Sequence, residues 1–459
     1  MNDRRTLVSL HNTKYAVSLI GLVSITALVA CFSPDRKTVL LPSKDSFNEI
    51  KKDVVAIRGI VLKRDIEIAA LGIDRPSHTI FRDSADDSGI ARLEHAYKQV
   101  GLLGTHDDLK AALEKFHRLD RLVSYDSANA RVIIAADAAT LGGQLTAPYT
   151  RSPAELAIAG GIVQALQEQH FQWQEKINQT VVEDARLAYR AVAGGDALLT
   201  ALAYASDGNL SAANHLAAAR QISLQMARLA RGLPPFLQSQ LVFPLAEGSN
   251  FVAWAAKAKG RDGLNALYAN PPAATAQILH PDRYYLVAQT PQRFFPAGLF
   301  RFMESSALFE QSFGEYLLRG LLQPENSPAA SSGIAAGWRG DQLFSFADSA
   351  FQTTAWYSVW DSADEAAAFL RAFQTVAEKR QRMRLRARKN DETLIANTRD
   401  HGSFALARKD NMVLYLVTES ARLAATVEAA WRDLVLEAEP EVLRFDSARG
   451  PFQLSLVKR

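Results

Sequence analysis

The chain of 459 residues has one cysteine, Cys31, so no disulfide can form within it and no thiol pair can support redox chemistry. It also lacks a surplus of either charge. Its 52 lysines and arginines stand against 49 aspartates and glutamates, a balance that gives no reason to expect nucleic acid as a partner. There is no G-x-S-x-G elbow, no Walker-type phosphate loop and no G-x-G-x-x-G turn. Those absences remove the sequence signatures of α/β-hydrolases, P-loop nucleotide hydrolases and dinucleotide enzymes. No internal repeat of roughly 20 to 50 residues stands out, which argues against a solenoid or propeller. At 48% hydrophobic and 22% charged residues, the chain is ordinary globular material with enough length for more than one core.

What is present begins with an N-terminal pattern. Arg4, Arg5 and Lys14 precede an apolar run over residues 15–30, the layout of a secretory signal. The run ends in Leu28-Val29-Ala30-Cys31, which resembles a bacterial lipobox. That resemblance implies cleavage after residue 30, acylation of Cys31 and attachment to a membrane. An uncleaved anchor is the alternative, although the run is slightly short of the roughly 20 apolar residues a span needs. Either way the folded part is expected outside the cytoplasm, facing the periplasm or the cell exterior. Residues 31–46, with Ser33-Pro34 and Pro42-Ser43, read as a tether. Without residues 1–30 the chain would carry 49 basic and 48 acidic residues, nearly neutral.

From residue 47 onward the periodicity is mostly helical. Apolar residues recur at helical spacing over 89–100 and 107–119, and a β-branched run at 131–135 after a Ser-Ala-Asn turn predicts a small hairpin or edge strand. Ser152, Pro153 and Glu155 are the N-cap, first-position proline and capping-box acid of a helix expected to reach about residue 176. Alanine- and leucine-rich helices follow over 183–205 and 211–231. Strand-like pieces at 342–346, 351–360 and 411–418, with helices at 363–379 and 419–434, predict an antiparallel α+β unit. The expected fold is therefore α+β and predominantly α. It divides into a helical domain over 47–325, a linker over 326–333 and a small α+β domain over 334–459.

The helix opened by Ser152 contains Gly160-Gly161-Ile162-Val163-Gln164 followed by Ala165-Leu166-Gln167-Glu168-Gln169-His170-Phe171. The second part resembles the continuation after HExxH in a family of bacterial zinc metallopeptidase-like proteins of gluzincin type. In such a helix two histidines at i and i+4 bind zinc and the glutamate between them is the general base. Here those places are Gly160, Gly161 and Gln164. The family's third ligand lies in an A-L-V-E-G-D-A segment, matched by Ala191-Val192-Ala193-Gly194-Gly195-Asp196-Ala197, so the ligand glutamate corresponds to Gly194. Further similar segments are Ala56-Ile57-Arg58-Gly59, Ser124-Tyr125-Asp126, Asn270 to Pro281, Phe313-Gly314-Glu315 and Ala336 to Asp341. The likeness runs over roughly residues 50–370.

The resemblance implies a metallopeptidase-like fold with its metal ligands replaced, hence no metal, no cofactor and no catalytic residues. The expected function is binding or envelope assembly, with a protein or peptide ligand in the degenerate cleft. Close helix packing is an equally physical reason for Gly160 and Gly161. His170, Asp196 and His280 are cleft candidates, and a hydrolase with a metal site relocated onto them is the alternative. Each also has a plain structural explanation as a packed or hydrogen-bonded side chain. Finally, residues 379–389 hold a run of basic side chains in which Arg382, Arg384, Arg386 and Arg388 would share one face of a strand. That stripe suits an anionic surface or, more simply, a solvated sheet edge.

Overall fold

The computed structural model describes residues 41–70, 87–143, 145–146, 148–208, 211–305, 307–347, 352–387, 393–398, 402–419, 421–437 and 442–443. Cys31, the signal-like segment and Arg388 lie outside these residues. From Leu41 onward the chain forms one compact unit. No helix among the described residues is long and apolar enough to cross a membrane.

The N-terminal part is built from α1 (Lys44–Arg58), β1 (Glu67–Ala70), α2 (Asp87–Gln99), α3 (Leu109–Asp120), β2 (Val123–Asp126) and β3 (Arg131–Ile134). It continues through α4 (Pro153–Phe171), α5 (Trp173–Gln179), α6 (Glu183–Ala205), α7 (Ala212–Leu229) and α8 (Pro235–Ala269). The three strands form one sheet in the order β1-β3-β2, parallel at β1/β3 and antiparallel at β2/β3. A connecting stretch follows: α9 (Thr275–Leu279), α10 (Asp282–Tyr285), β4 (Val287–Ala288), β5 (Arg293–Pro296) and α11 (Ala297–Met303). The C-terminal part comprises β6 (Phe309–Gln311), α12 (Gly314–Leu322), α13 (Pro328–Ala335), β7 (Trp338–Ala347), β8 (Gln352–Trp360), α14 (Ala363–Arg380) and β9 (Arg386–Ala387). It ends with β10 (Leu394–Asn397), β11 (Ser403–Lys409), β12 (Met412–Thr418), α15 (Leu423–Trp431), β13 (Leu434–Glu437) and β14 (Val442–Leu443). Its antiparallel sheet runs β6-β7-β8-β12-β11-β10-β9. The fold is α+β and mostly α.

Local chemistry explains the helix ends. At α4, Ser152 Oγ accepts from Glu155 N while the Glu155 carboxylate accepts from Ser152 N at 2.9 Å, the reciprocal capping box read from the sequence. The helix stops earlier than periodicity predicts, because Gln172 adopts a left-handed backbone and α5 starts on a new axis. The segment expected to be a linker is instead largely helix α13, capped by Ser327 with Pro328 at its first position. Proline, serine and alanine there signal a helix start rather than a flexible joint. Strand β6, before that segment, already belongs to the C-terminal sheet, so the expected boundary cuts through a continuous structure.

Helices α6 and α8 cross with their backbones in contact. A Cβ built on Gly195 would overlap the Gly248 carbonyl group and lie 2.7 Å from Ser249 N, and one built on Gly248 would overlap the Ala191 carbonyl. Only residues without side chains permit this approach, which lets Phe243, Phe251 and Val252 pack with Leu187, Ala188 and Val192 in one buried cluster. Gly195→Ala or Gly248→Ala is expected to lower stability by about 1–3 kcal/mol, since backbone rather than a flexible side chain must move. Urea unfolding midpoints of the two variants measure this, and unchanged midpoints would contradict the close crossing.

Candidate functional site

Helix α4 packs on the sheet of β1–β3 and on α1 and α6, so the residues matched to a zinc helix have definite surroundings. A Cβ on Gly161 would overlap Val132 Cγ1 on β3 and lie 3.1 Å from Val123 Cγ1 on β2. The position matched to the general base is thus pressed against the sheet. Gly160 differs: a Cβ there meets nothing within 4 Å. Gly194 faces α8, where its Cβ would stand 2.9 Å from Pro244 Cβ. Gln164 is half-buried, with Nε2 3.5 Å from Val123 O. Gly161 and Gly194 therefore serve packing against different neighbours, while Ala157, Gly160, Gln164 and Glu168 line a half-exposed stripe along α4. Burial pushes the Glu168 carboxyl up from its ordinary range, against an opposing bond from Gln174 N at 2.9 Å.

Asp196 is the centre of a buried polar network. Its carboxylate pairs with Arg58 Nε at 2.9 Å and accepts from Tyr268 Oη at 2.7 Å and Gln167 Nε2 at 3.1 Å. Arg58 also donates to Asn265 Oδ1 at 2.8 Å, and Gln167 Nε2 to Ala193 O at 2.9 Å. The Arg58 and Asp196 side chains are 2% and 1% exposed, so water contributes almost nothing to their solvation. Burial, followed by the charge of Asp196, holds the Tyr268 hydroxyl well above its usual range and keeps it a donor. One network ties α1, α4, α6 and α8 together.

His170 and Gln169 hold the loop around residues 61–64, and Gln169 and Gln174 also reach Tyr125 on β2. His170 Nε2 bonds Val61 O at 2.6 Å. Gln169 accepts from Lys63 N at 2.8 Å and Arg64 N at 3.0 Å, and donates to Arg64 O and the Tyr125 hydroxyl. Gln174 Nε2 donates to Tyr125 O at 3.1 Å. His280 lies elsewhere, with Nε2 2.9 Å from Oε1 of the fully buried Glu315. Thus Asp196, His170 and His280 are held by three separate sets of partners. Among the described residues no group of three or more His, Cys, Asp or Glu side chains could hold a metal ion. The relocated metal site envisaged from sequence has no geometric basis on these three residues.

Phe313-Gly314-Glu315 and Ala336 to Asp341 are separate landmarks in the sequence, but the fold joins them. Buried Asp341 accepts from Phe313 N and Gly314 N at 2.9 Å and from the indole nitrogens of Trp338 and Trp356 at 3.0 Å. Asp184, at the start of α6, accepts from Thr275 Oγ1 at 2.6 Å and Thr275 N at 3.1 Å. It lies where a Cβ on Gly314 would be, and Gly314 has φ +73°. Glu315 also binds Arg319 at 2.5 Å and stands 3.7 Å from Arg283. Only the pairing across sequence separation reveals this junction; no spacing within one segment encodes it.

The basic stripe is not the strand expected over its described part: only Arg386 lies on β9, and Arg382 sits in a turn at φ +50°. Arg382, Arg384 and Arg386 are exposed while Gln381, Met383 and Leu385 are buried. Arg384 pairs with Glu378 at 2.9 Å, and β9 is the end strand of the large sheet. Of these arginines only Arg386 puts its charge on the sheet edge itself, where charge resists pairing.

Compared with known proteins, the chain matches one family, described as a domain of unknown function (DUF8575), over residues 302–430. That match covers α11 in part and the large sheet through most of α15. No curated protein and no solved structure matches.

Two measurements follow from this geometry. Gly160→Ala is expected to raise stability by about 0.5–1 kcal/mol, because alanine is the better helix former and there is room for it. Gly161→Ala is expected to lower it by about 1–3 kcal/mol. Equal effects in urea unfolding would contradict the different surroundings of the two glycines. The second concerns Asp184, whose carboxyl is raised well above its ordinary range by burial, with Asp341 and Glu315 adding to the shift. The folded state then holds a proton that the unfolded chain releases, so this group's contribution to stability is lost as pH rises through the raised pKa. Asp184→Asn should flatten the decline in stability with rising pH. Because Asp341 is raised in the same direction, the slope should shrink rather than vanish; an unchanged slope would exclude Asp184 as its source.

Proposed function

We propose that this protein is exported, tethered to a membrane through a lipid on Cys31, and uses a metallopeptidase-like core to bind a protein or peptide without cutting it. The observation that carries the non-catalytic part is the contact of Gly161 with Val132 and Val123. A general base needs a carboxylate reaching a metal-bound water, and here even a Cβ overlaps the sheet. Gly194 supports the same reading, since Pro244 fills the space into which a third-ligand glutamate would extend. Gln164 directs its amide at a backbone carbonyl of β2 instead of a metal. The half-exposed stripe of Ala157, Gly160, Gln164 and Glu168 beside β2 is where a ligand would lie. The basic stripe at Arg382, Arg384 and Arg386 adds a surface suited to anionic headgroups once the chain is tethered.

The test uses the full chain purified in detergent after growth in zinc-supplemented medium. Zinc well below one equivalent, with no peptide cleavage that a chelator abolishes, is expected. One tightly held zinc per chain together with chelator-sensitive cleavage would overturn the non-catalytic reading. Separately, Cys31→Ser should abolish palmitate incorporation and release the chain from membranes; retained acylation would rule out Cys31 as the attachment point.

A further inference from the structure

Two exposed stretches, residues 59–65 and 254–262, carry large apolar side chains among cations. In the first, the loop after α1, Val61 is 67% exposed and precedes exposed Lys63 and Arg64. This loop is held in place. His170 Nε2 meets Val61 O at 2.6 Å, and the Gln169 side chain accepts from Lys63 N and Arg64 N and donates to Arg64 O. In the second, on α8, Trp254 is exposed near Lys257, with Lys259 and Arg261 following. The Trp254 ring lies 4.5 Å from that of Tyr285, whose chain neighbour Leu286 is 44% exposed. Gly260 interrupts α8 with φ +62° and ψ −153°, a backbone shape that other residues disfavour. Just past the break, Arg261 donates to Ala56 O and Ile57 O at the end of α1, and a Cβ on Gly59 would overlap its guanidinium. The two stretches meet there.

Charge at this meeting point is one-sided. Lys63, Arg64, Lys257, Lys259 and Arg261 have no carboxylate within ion-pair distance among the described residues. Asp65 is taken by Lys51, which leaves Asp262 as the other acid of the two stretches. An apolar side chain held out in water gains nothing from burial, so the fixed exposure of Val61 calls for a partner. Tryptophan, valine and leucine interspersed with lysine and arginine are the composition of a surface that enters lipid headgroups.

We propose that this patch rests on the anionic bilayer to which the chain is tethered, with Val61, Trp254 and Leu286 entering the headgroup layer and the five cations meeting lipid phosphates. The inference rests on the tethered reading above and names the face turned toward the membrane. Chain length permits it. Ten residues separate Cys31 from Leu41, a reach of at most about 35 Å. Helix α1, with 15 residues, carries the chain about 22 Å further, to Gly59. The patch thus lies at the far end of the first helix after the tether, within range of the membrane. A lipid anchor and a basic surface reinforce one another, since either signal alone holds a protein weakly.

The full chain is reconstituted into vesicles of phosphatidylglycerol and brominated phosphatidylcholine, and quenching of Trp254 is read as the difference from a Trp254→Phe variant. Quenching is expected, and vesicles without phosphatidylglycerol should weaken it. Each cation is expected to shift the docked population about fivefold. Lys63→Glu/Arg64→Glu/Lys257→Glu/Lys259→Glu should therefore abolish quenching, while Arg382→Glu/Arg384→Glu should preserve it. Unquenched Trp254 in a chain that floats with the vesicles would overturn the patch and leave the tether standing; a chain that does not float overturns both. Equal loss from the Arg382 and Arg384 variant would place the docking face elsewhere and overturn the assignment. Should the four-site variant fail to fold, salt decides on the wild type. Raising it to about 1 M, where the Debye length is roughly 3 Å, must release Trp254, and unchanged quenching overturns the proposal. Iodide shielding of Trp254 that grows with protein concentration in detergent would mean that a second copy covers the patch, which also overturns it. Quenching that persists in a Cys31→Ser chain carrying no palmitate would defeat the lipid on Cys31 and keep the surface.

Discussion

The ion pair between Arg58 and Asp196 is the constraint around which the helical part is arranged. Neither side chain reaches water, so each charge has lost its hydration and must recover it from fixed partners. Tyr268, Gln167 and Asn265 supply the additional bonds, and they come from α8 and α4. Breaking such a pair from one side typically costs about 3–5 kcal/mol, because a lone buried charge remains. The pair consequently specifies position as much as it stabilises. These bonds tie helices α1, α4, α6 and α8 to one another, although Arg58 Nη1 and Gln167 Oε1 stay buried without a partner, and α4 so held packs against β2 and β3.

That placement changes what the glycines mean. A glycine at a position matched to a ligand can record lost chemistry or a close approach, and the two differ in what surrounds the missing Cβ. At Gly161 and Gly194 a neighbour fills the space, so packing alone accounts for them; at Gly160 the space is empty. Gln164 gives a third outcome, a side-chain bond to the adjacent strand. The four positions thus have three kinds of surroundings around one helix-and-sheet scaffold.

The features legible in the sequence were those set within a few residues. The capping box of α4, the hairpin of β2 and β3, the helices α6 and α7 and the alternation along residues 381–386 all depend on local spacing. The break at Gln172 was illegible because a left-handed glutamine carries no compositional mark. Strands β10 and β11 were missed although their partners are close in the chain: β10 pairs with β9 and β11, and β11 pairs with β12 across Asp410 and Asn411. For the site, Asp196 was singled out but Arg58 was noted only as part of a familiar segment. Their separation of 138 residues hides the pairing that gives either one meaning.

The same dependence on distant partners explains why the expected linker does not separate two bodies. Asp184 belongs to the helical part, Thr275 to the connecting stretch and Gly314 to α12, yet the three touch, and Gly314 N bonds Asp341 on β7. Gln381, at the end of α14, donates to the carbonyls of Lys98 and Gln99 at 2.7 and 2.8 Å, a second bridge across the proposed boundary. A hinge at residues 326–333 would have to pull buried Asp341 from its backbone and indole donors, leaving an unsolvated carboxylate. Burying a polar group without partners costs several kcal/mol, so the two parts cannot rock freely about α13. The half-exposed stripe along α4 is therefore backed by the whole unit from Leu41 onward, and side chains such as Gln164 and Gln174 can move there more easily than the two parts can.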